Sequence, residues 1–219
     1  MHLDDNRLEA GSYNRVVIVH GPAGSGKTTL ALDLLLASPG YHVVIAPRLP
    51  KIDGEVVRHQ EVKKVSGLTS AIRSSPGAVA MVTEPGDTVE RVIAVCKALV
   101  SSTQPRDKSS YVPATILLDE ATRWDGISAD KGSMSAAARD YFADRRHWGV
   151  GLILCTQTPR FLIERLFALA TDLYSFRTIS RLDIRRLEQC GEFDARDLSA
   201  ELRGLDDHAW QHQPIGRKP

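Results

Sequence analysis

The segment Gly21-Pro22-Ala23-Gly24-Ser25-Gly26-Lys27-Thr28 matches the pattern G-x-x-x-x-G-K-[ST] at every fixed position. Glycines at these spacings let the backbone curl so that successive N–H groups point inward, where they and the positive end of a following helix surround a phosphate. Lys27 is then placed to reach the β- and γ-phosphates of a nucleoside triphosphate, and the Thr28 hydroxyl to ligate Mg²⁺. Thr29 closes the nucleotide-binding stretch and is read as a packing or capping residue. A glycine-rich turn without a ligand would leave a lysine and several N–H donors aimed at nothing.

A second group lies in "ATILLDEAT", where Asp119 and Glu120 end an apolar run. The carboxyl ends of strands are where open α/β sheets bind ligands. Asp119 there is a candidate magnesium ligand, through the ion's water shell. Glu120 is suited to orient and deprotonate an attacking water. The plain alternative is two solvated acids at a strand end. A carboxylate base beside a magnesium site favours hydrolysis over transfer to an acceptor. A third element is Gln157, the polar end of "VGLILCTQT". If its strand neighbours that of Asp119, its amide can donate to the γ-phosphate or to the water; otherwise it caps the next helix.

These side chains need a parallel sheet covered by helices, and the pattern of the chain predicts one. Strands are expected over Arg15–His20, Tyr41–Ala46, Ala78–Thr83, Ala114–Asp119, Val150–Gln157 and Asp172–Arg177. Most are continuous apolar runs, as befits strands buried on both faces. Helices are expected over Lys27–Ala37, Leu68–Ser74, Thr88–Ser101, Met134–Trp148, Arg160–Ala170 and Ser180–Gln189. Trp124–Ser133, rich in Gly, Ser and Asp, reads as a mobile loop. The C-terminal "HAWQHQPIGRKP" reads either as an edge strand or as a tether.

With 219 residues, the chain suits one α/β domain with a buried core. We expect a single domain over residues 1–219, with its core at about 15–190 and a C-terminal extension at 191–219. Hydrophobic residues at 42% and charged ones at 25% argue against disorder or a fibrous repeat. No apolar run approaches the roughly 20 residues that span a bilayer. The first residues lack the basic start and apolar centre of a secretory signal, so a cytoplasmic location is expected. Cys96, Cys155 and Cys190 are odd in number and widely spaced, which argues for ordinary thiols. Net charge is +1, yet Arg139–Arg186 holds nine arginines against five acids, either a basic face or helices laced with ion pairs.

The three elements, taken with "RRHWGVGLILCTQTPRFLIERLFALATDLYSFRT", resemble the FtsK/HerA superfamily of DNA-pumping P-loop ATPases. The likeness covers most of residues 15–190, and the small size is most similar to genome-packaging ATPases of tailless, membrane-containing viruses and phages. It implies a RecA-like P-loop NTPase fold, with a mostly parallel central sheet and helices on both faces. It also implies ATP and Mg²⁺ as cofactors, double-stranded DNA bound without sequence preference, a homo-oligomeric ring, and a docking partner at a capsid vertex or portal. The expected setting is the host cytoplasm, with the virion vertex as the place of action. In such rings an arginine of one subunit reaches the nucleotide of the next. Arg146, eleven residues before Gln157, stands at that position, with Arg145 as its competitor; both also fit a plain charge pair at a helix end. Thr158 replaces the arginine usual after the sensor glutamine. DNA contacts are expected from Arg123 and Lys131, which flank Trp124, and from Arg160 or Arg165. Two other readings stay open: a P-loop kinase of a nucleoside or small molecule, and a nucleotide-switched assembly factor.

Overall fold

Each of the six apolar runs forms a strand within one residue of its expected ends. The computed structural model describes residues 15–46, 51–52, 55–56, 59–62, 65–74, 79–82, 88–103, 113–124, 127, 139–141, 149–190 and 195–214. In chain order these give β1 (Val16–His20), α1 (Lys27–Ala37), β2 (Tyr41–Ile45), β3 (Lys51–Ile52), β4 (Glu55–Val56) and β5 (His59–Val62). There follow α2 (Leu68–Ser74), β6 (Val79–Val82), α3 (Thr88–Thr103), β7 (Ala114–Leu118) and β8 (Val150–Thr156). The chain continues with α4 (Glu164–Leu169), β9 (Asp172–Phe176), α5 (Arg181–Cys190), α6 (Ala195–Gly204) and β10 (Trp210–Pro214).

Among the described residues, eight strands form one sheet in the order β10-β9-β1-β8-β7-β2-β6-β5, while β3 and β4 pair as a separate ribbon. All neighbours in the large sheet are parallel except β10, which runs antiparallel to β9. The fold is therefore α/β, of the RecA-like P-loop kind.

Alternation along each strand splits the core in two. Val17 and Val19 of β1, with Leu117 and Ile153, face the apolar side of α1. Val16 and Ile18, with Ile116, Leu118, Leu152 and Leu154, face the opposite layer, which includes α2, α3 and α4. A strand buried on both faces needs apolar residues at every position, which is why these runs were continuous. Cys96 and Cys155 are buried and unpaired. Burial pushes the Cys96 thiol up to about 12, so it is no nucleophile at neutral pH. Among the described residues no helix is long and apolar enough to cross a membrane.

Several expectations need correction. The predicted helix Arg160–Ala170 is broken: Pro159–Phe161 is a 3-10 turn, Leu162 and Ile163 are not helical, and only Glu164–Leu169 is α-helical. The Ile163 amide is taken by the Ile127 carbonyl at 3.2 Å, so it cannot propagate a helix from Pro159. Of Met134–Trp148 only 139–141 are described, and these are helical. The polar strand β5 and the helix α6 were not anticipated. The C-terminal choice resolves as an edge strand, β10.

A buried charge cluster holds that edge. Asp172, with its side chain 4% exposed, accepts from Arg15 Nε and Nη2, from Thr171 Oγ1 at 2.7 Å and from His212 Nε2 at 2.9 Å. Burial alone would raise its pKa, but the His212 and Arg15 hydrogen bonds, with the Arg15 charge, more than offset this and hold it at about 2 against an ordinary 3.8. A depressed carboxyl stabilises the fold above its unfolded pKa, and the contribution is lost as pH falls from about 4 toward 2. The interval corresponds to about 2 kcal/mol. Urea unfolding of wild type and Asp172→Asn is expected to differ by about that much near pH 6, with the gap closing below pH 4. A gap constant with pH would show that the cluster does not hold the edge.

Candidate active site

The loop between β1 and α1 stands at the carboxyl end of the sheet. Gly24 and Gly26 take φ of 75° and 93°, the left-handed region that favours glycine. Gly26 is also the N-cap of α1 and offers no side chain, so the amide groups of the first turn face outward without a capping acceptor. The loop is tied to the sheet by the Gly21 amide, which donates to Thr156 O at 3.2 Å. Lys27 is 6% exposed, and its Nζ donates to Pro22 O at 3.2 Å. An ammonium has three protons, and this carbonyl takes one.

Strand order explains how the scattered motifs meet. β1 and β7 are not neighbours; β8 lies between them and pairs with both. Hence Gln157, just past β8, stands between the glycine-rich loop and the acidic pair at the end of β7. The Thr28 hydroxyl donates to Asp119 Oδ1 at 3.3 Å across that gap, while the Gln157 amide donates to Glu120 Oε1. Gln157 is exposed and Glu120 half-buried, so this pair faces solvent. The sequence placed Gln157 near phosphate or water; the structure brings it to the carboxylate.

Asp119 and Glu120 differ in environment although they adjoin. Burial, and then the charge of Glu120, raise the Asp119 carboxyl above its ordinary value, against smaller opposing effects of the Cys155 thiol, Lys27 and Thr28. A carboxylate so placed gains from a cation. Among the described residues no group of three or more His, Cys, Asp or Glu side chains could hold a metal. Two hard oxygens, from Thr28 and Asp119, suit Mg²⁺, which binds through one or two protein ligands and fills its shell with water and phosphate oxygens.

Glu120 has φ 52° and ψ 51°, left-handed for a residue with a side chain. Such strain persists only where the surroundings over-determine it. Trp124, 4% exposed, supplies that constraint: its indole donates to Asp119 O at 3.0 Å, and its amide to Ala121 O at 3.2 Å. Trp124 was expected in a mobile loop as an aromatic near DNA. It is instead core, as is Ile127. The signal was available, since a Trp five residues past a strand-end acid can reach back over a tight turn.

A further feature sequence reading missed lies beneath the loop. His20 is fully buried, and its Nε2 is 2.7 Å from Ser175 Oγ. Burial pushes the imidazole down to about 3, so the ring is neutral at pH 7 and joins β1 to β9 without adding charge below the phosphate loop.

The expected DNA contacts divide. Arg160 is tied down: its backbone amide donates to Asp183 Oδ1 at 3.3 Å, its guanidinium lies 3.9 Å from Asp183 Oδ2, and it stacks over the Phe161 ring. Arg123 and Arg165 are exposed. Arg145, Arg146 and Lys131 lie outside the described residues.

No protein-family model matches the chain, and no curated protein matches it. Solved structures do. The genome packaging NTPase B204 from Sulfolobus turreted icosahedral virus 2, in complex with ATP-gammaS, superposes with a TM-score of 0.71 at 17% identity, covering 93% of each chain. The same protein with AMPPCP gives 0.72 at 17% identity, again over 93% of each. B204, the DNA-packaging ATPase from Sulfolobus turreted icosahedral virus, gives 0.68 at 16% identity, over 92% of this chain and 93% of that one. At these identities the likeness establishes a shared fold.

Proposed function

We propose that the chain is an ATP-hydrolysing DNA translocase of the FtsK/HerA type, a viral genome-packaging motor that works as a homo-oligomeric ring. The observation that carries this reading is the Glu120–Gln157 pair at the solvent-facing mouth of the site, one strand away from the phosphate loop. A base that opens to solvent suits water as the nucleophile. Likeness over nearly the full length of a packaging NTPase supports the same reading.

In this mechanism the loop amides and Lys27 hold the β- and γ-phosphates of ATP, and Thr28 with Asp119 holds Mg²⁺. Mg²⁺ held by these two side chains would supply neutralisation of the phosphate charge. Glu120 accepts a proton from water as its oxygen bonds to the γ-phosphorus, and the bond from that phosphorus to the β-bridging oxygen breaks, releasing ADP and phosphate. Gln157, bonded to Glu120, fixes the carboxylate's orientation and changes partner when a γ-phosphate or water is present. Arg146, or Arg145, from a neighbouring subunit neutralises charge on the transferred group, an effect worth about three or more powers of ten in rate. The chain acts as one ATPase domain. Arg123 and Lys131 meet duplex phosphates nonspecifically in the channel, while Arg160, already paired, serves the scaffold. The motor acts in the host cytoplasm at a capsid vertex or portal.

Steady-state ATP hydrolysis with and without duplex DNA, across protein concentrations, tests the reading. Turnover is expected to rise with DNA and more steeply than linearly with protein, because the site is shared between subunits. Turnover indifferent to DNA and linear in protein, or phosphate found on a nucleoside acceptor, would overturn it.

A further inference from the structure

A buried thiol lies between the side chains read as magnesium ligands and the apolar core. Cys155, the penultimate residue of β8, is fully buried. On one side it pairs in register with Val19 of β1, and on the other the pairing of Leu118 with Leu154 places Asp119 beside it. Alternation along the strands decides which way these side chains point. Leu117 and Ile153 belong to the core layer of α1, and so does Cys155. Asp119, two residues after Leu117, faces the same layer, as its bond from Thr28 in the first turn of α1 requires.

The Cys155 thiol therefore lies beneath the Thr28–Asp119 contact, within hydrogen-bond reach of both side chains. Cys96, by contrast, is buried in the opposite layer among apolar side chains. An apolar side chain in place of Cys155 would serve the packing against Val19, Leu117 and Ile153 as well as sulfur does. It would leave the Asp119 carboxyl, already disfavoured as an ion by burial, with one donor fewer.

We propose that Cys155 is a positioning residue of the magnesium site: its S–H donates to the Asp119 carboxylate and, together with the Thr28 hydroxyl, fixes the direction in which that carboxylate meets the cation. The inference rests on the reading that Gly21–Thr28 holds the triphosphate and that Thr28 and Asp119 hold its magnesium. An ionised carboxyl can only accept, so the thiol is the donor of the pair. An ordinary thiol carries its proton at neutral pH. Carboxylates that ligate metals are themselves held by hydrogen bonds, and losing such a partner typically costs about ten- to a hundredfold in metal affinity. A thiol is a weak donor, which sets the expectation at the lower end of that range.

The full chain would be titrated calorimetrically with AMPPCP, an ATP analogue that is not hydrolysed, once in excess magnesium and once in EDTA. The ratio of the two Kd values measures what the cation adds to binding. Wild type is expected to bind more tightly with magnesium. Cys155→Ala should cut that gain about tenfold and leave the Kd in EDTA unchanged. Cys155→Ser, which keeps a donor on the same carbon, should recover most of it, whereas a packing role would make serine no better than alanine. Infrared absorption of the metal-free protein gives a second reading. The S–H stretch that is lost in Cys155→Ser should lie below that of Cys96, as a hydrogen-bonded thiol does, and should move up in Asp119→Ala. A Cys155 band unmoved by Asp119→Ala, serine equal to alanine, or alanine with the wild-type magnesium gain overturns the positioning role and leaves the phosphate-loop reading standing. Wild type with equal affinity in both buffers removes the magnesium site and the role of Cys155 with it. Wild type that binds AMPPCP in neither buffer overturns the phosphate-loop reading as well.

Discussion

Glu120→Gln is expected to lower ATP turnover by about a hundred- to ten-thousand-fold, the range for loss of a general base, while ATP binding persists. The amide keeps the size of the carboxylate and can still meet Gln157, but it cannot take the proton from water. Backbone cost does not change, since glutamine at φ 52° is no more strained than glutamate. The Lys27, Thr28 and Asp119 side chains stay in place. Removing the Glu120 charge also withdraws one of the two influences that raise the Asp119 carboxyl. Single-turnover hydrolysis beside a direct binding titration separates these effects. A variant that binds and hydrolyses like wild type would remove Glu120 from the chemistry. One that fails to bind would make it part of the nucleotide cradle.

That the two acids, the loop and Gln157 converge was legible because each sits at the end of a continuous apolar run, and apolar runs mark buried parallel strands. α1 begins and ends where read, since Lys27 follows a glycine that cannot extend a helix cheaply and Gly40 closes the turn beyond it. The edges were harder to read. β5, "HQEV", and β10, "WQHQP", each pair on one side only, so polar residues are tolerated and the apolar signal vanishes. What identifies β10 is a partner far away in sequence: His212 has value as a strand residue because Asp172 is buried opposite. Among the described side chains of α6 only Leu198 and Leu202 are buried, too thin a stripe to separate from an exposed tail. The left-handed turn at Glu120 could not be read at all, because it comes from the clamp of Trp124 on Asp119 and not from any local preference of glutamate.

Gly40→Ala is expected to cost about 3 kcal/mol or more, among the larger effects a single methyl produces. Gly40 takes φ 91°, and a Cβ there would lie 2.0 Å from Pro113 O, 2.7 Å from Pro113 C and 3.0 Å from Pro113 Cγ. The neighbour cannot give way, because Pro113 O accepts the Tyr41 amide at 2.8 Å and so opens the β2–β7 pairing that begins at Tyr41 and Ala114. At the other end of that pairing the Asp119 amide donates to Ile45 O at 3.0 Å. A methyl at Gly40 therefore presses on the strand pair whose far end carries the acids. Gly24→Ala is the control: φ is 75°, yet nothing lies within 4 Å of its Cβ, so only the left-handed strain of about 1–2 kcal/mol applies. Urea unfolding of the two variants isolates the steric contribution. Equal losses would mean that Gly40 and Pro113 do not touch as described, whereas a larger loss at Gly40, with lowered ATP turnover in the fraction still folded, would tie this distant turn to the placement of Asp119 and Glu120.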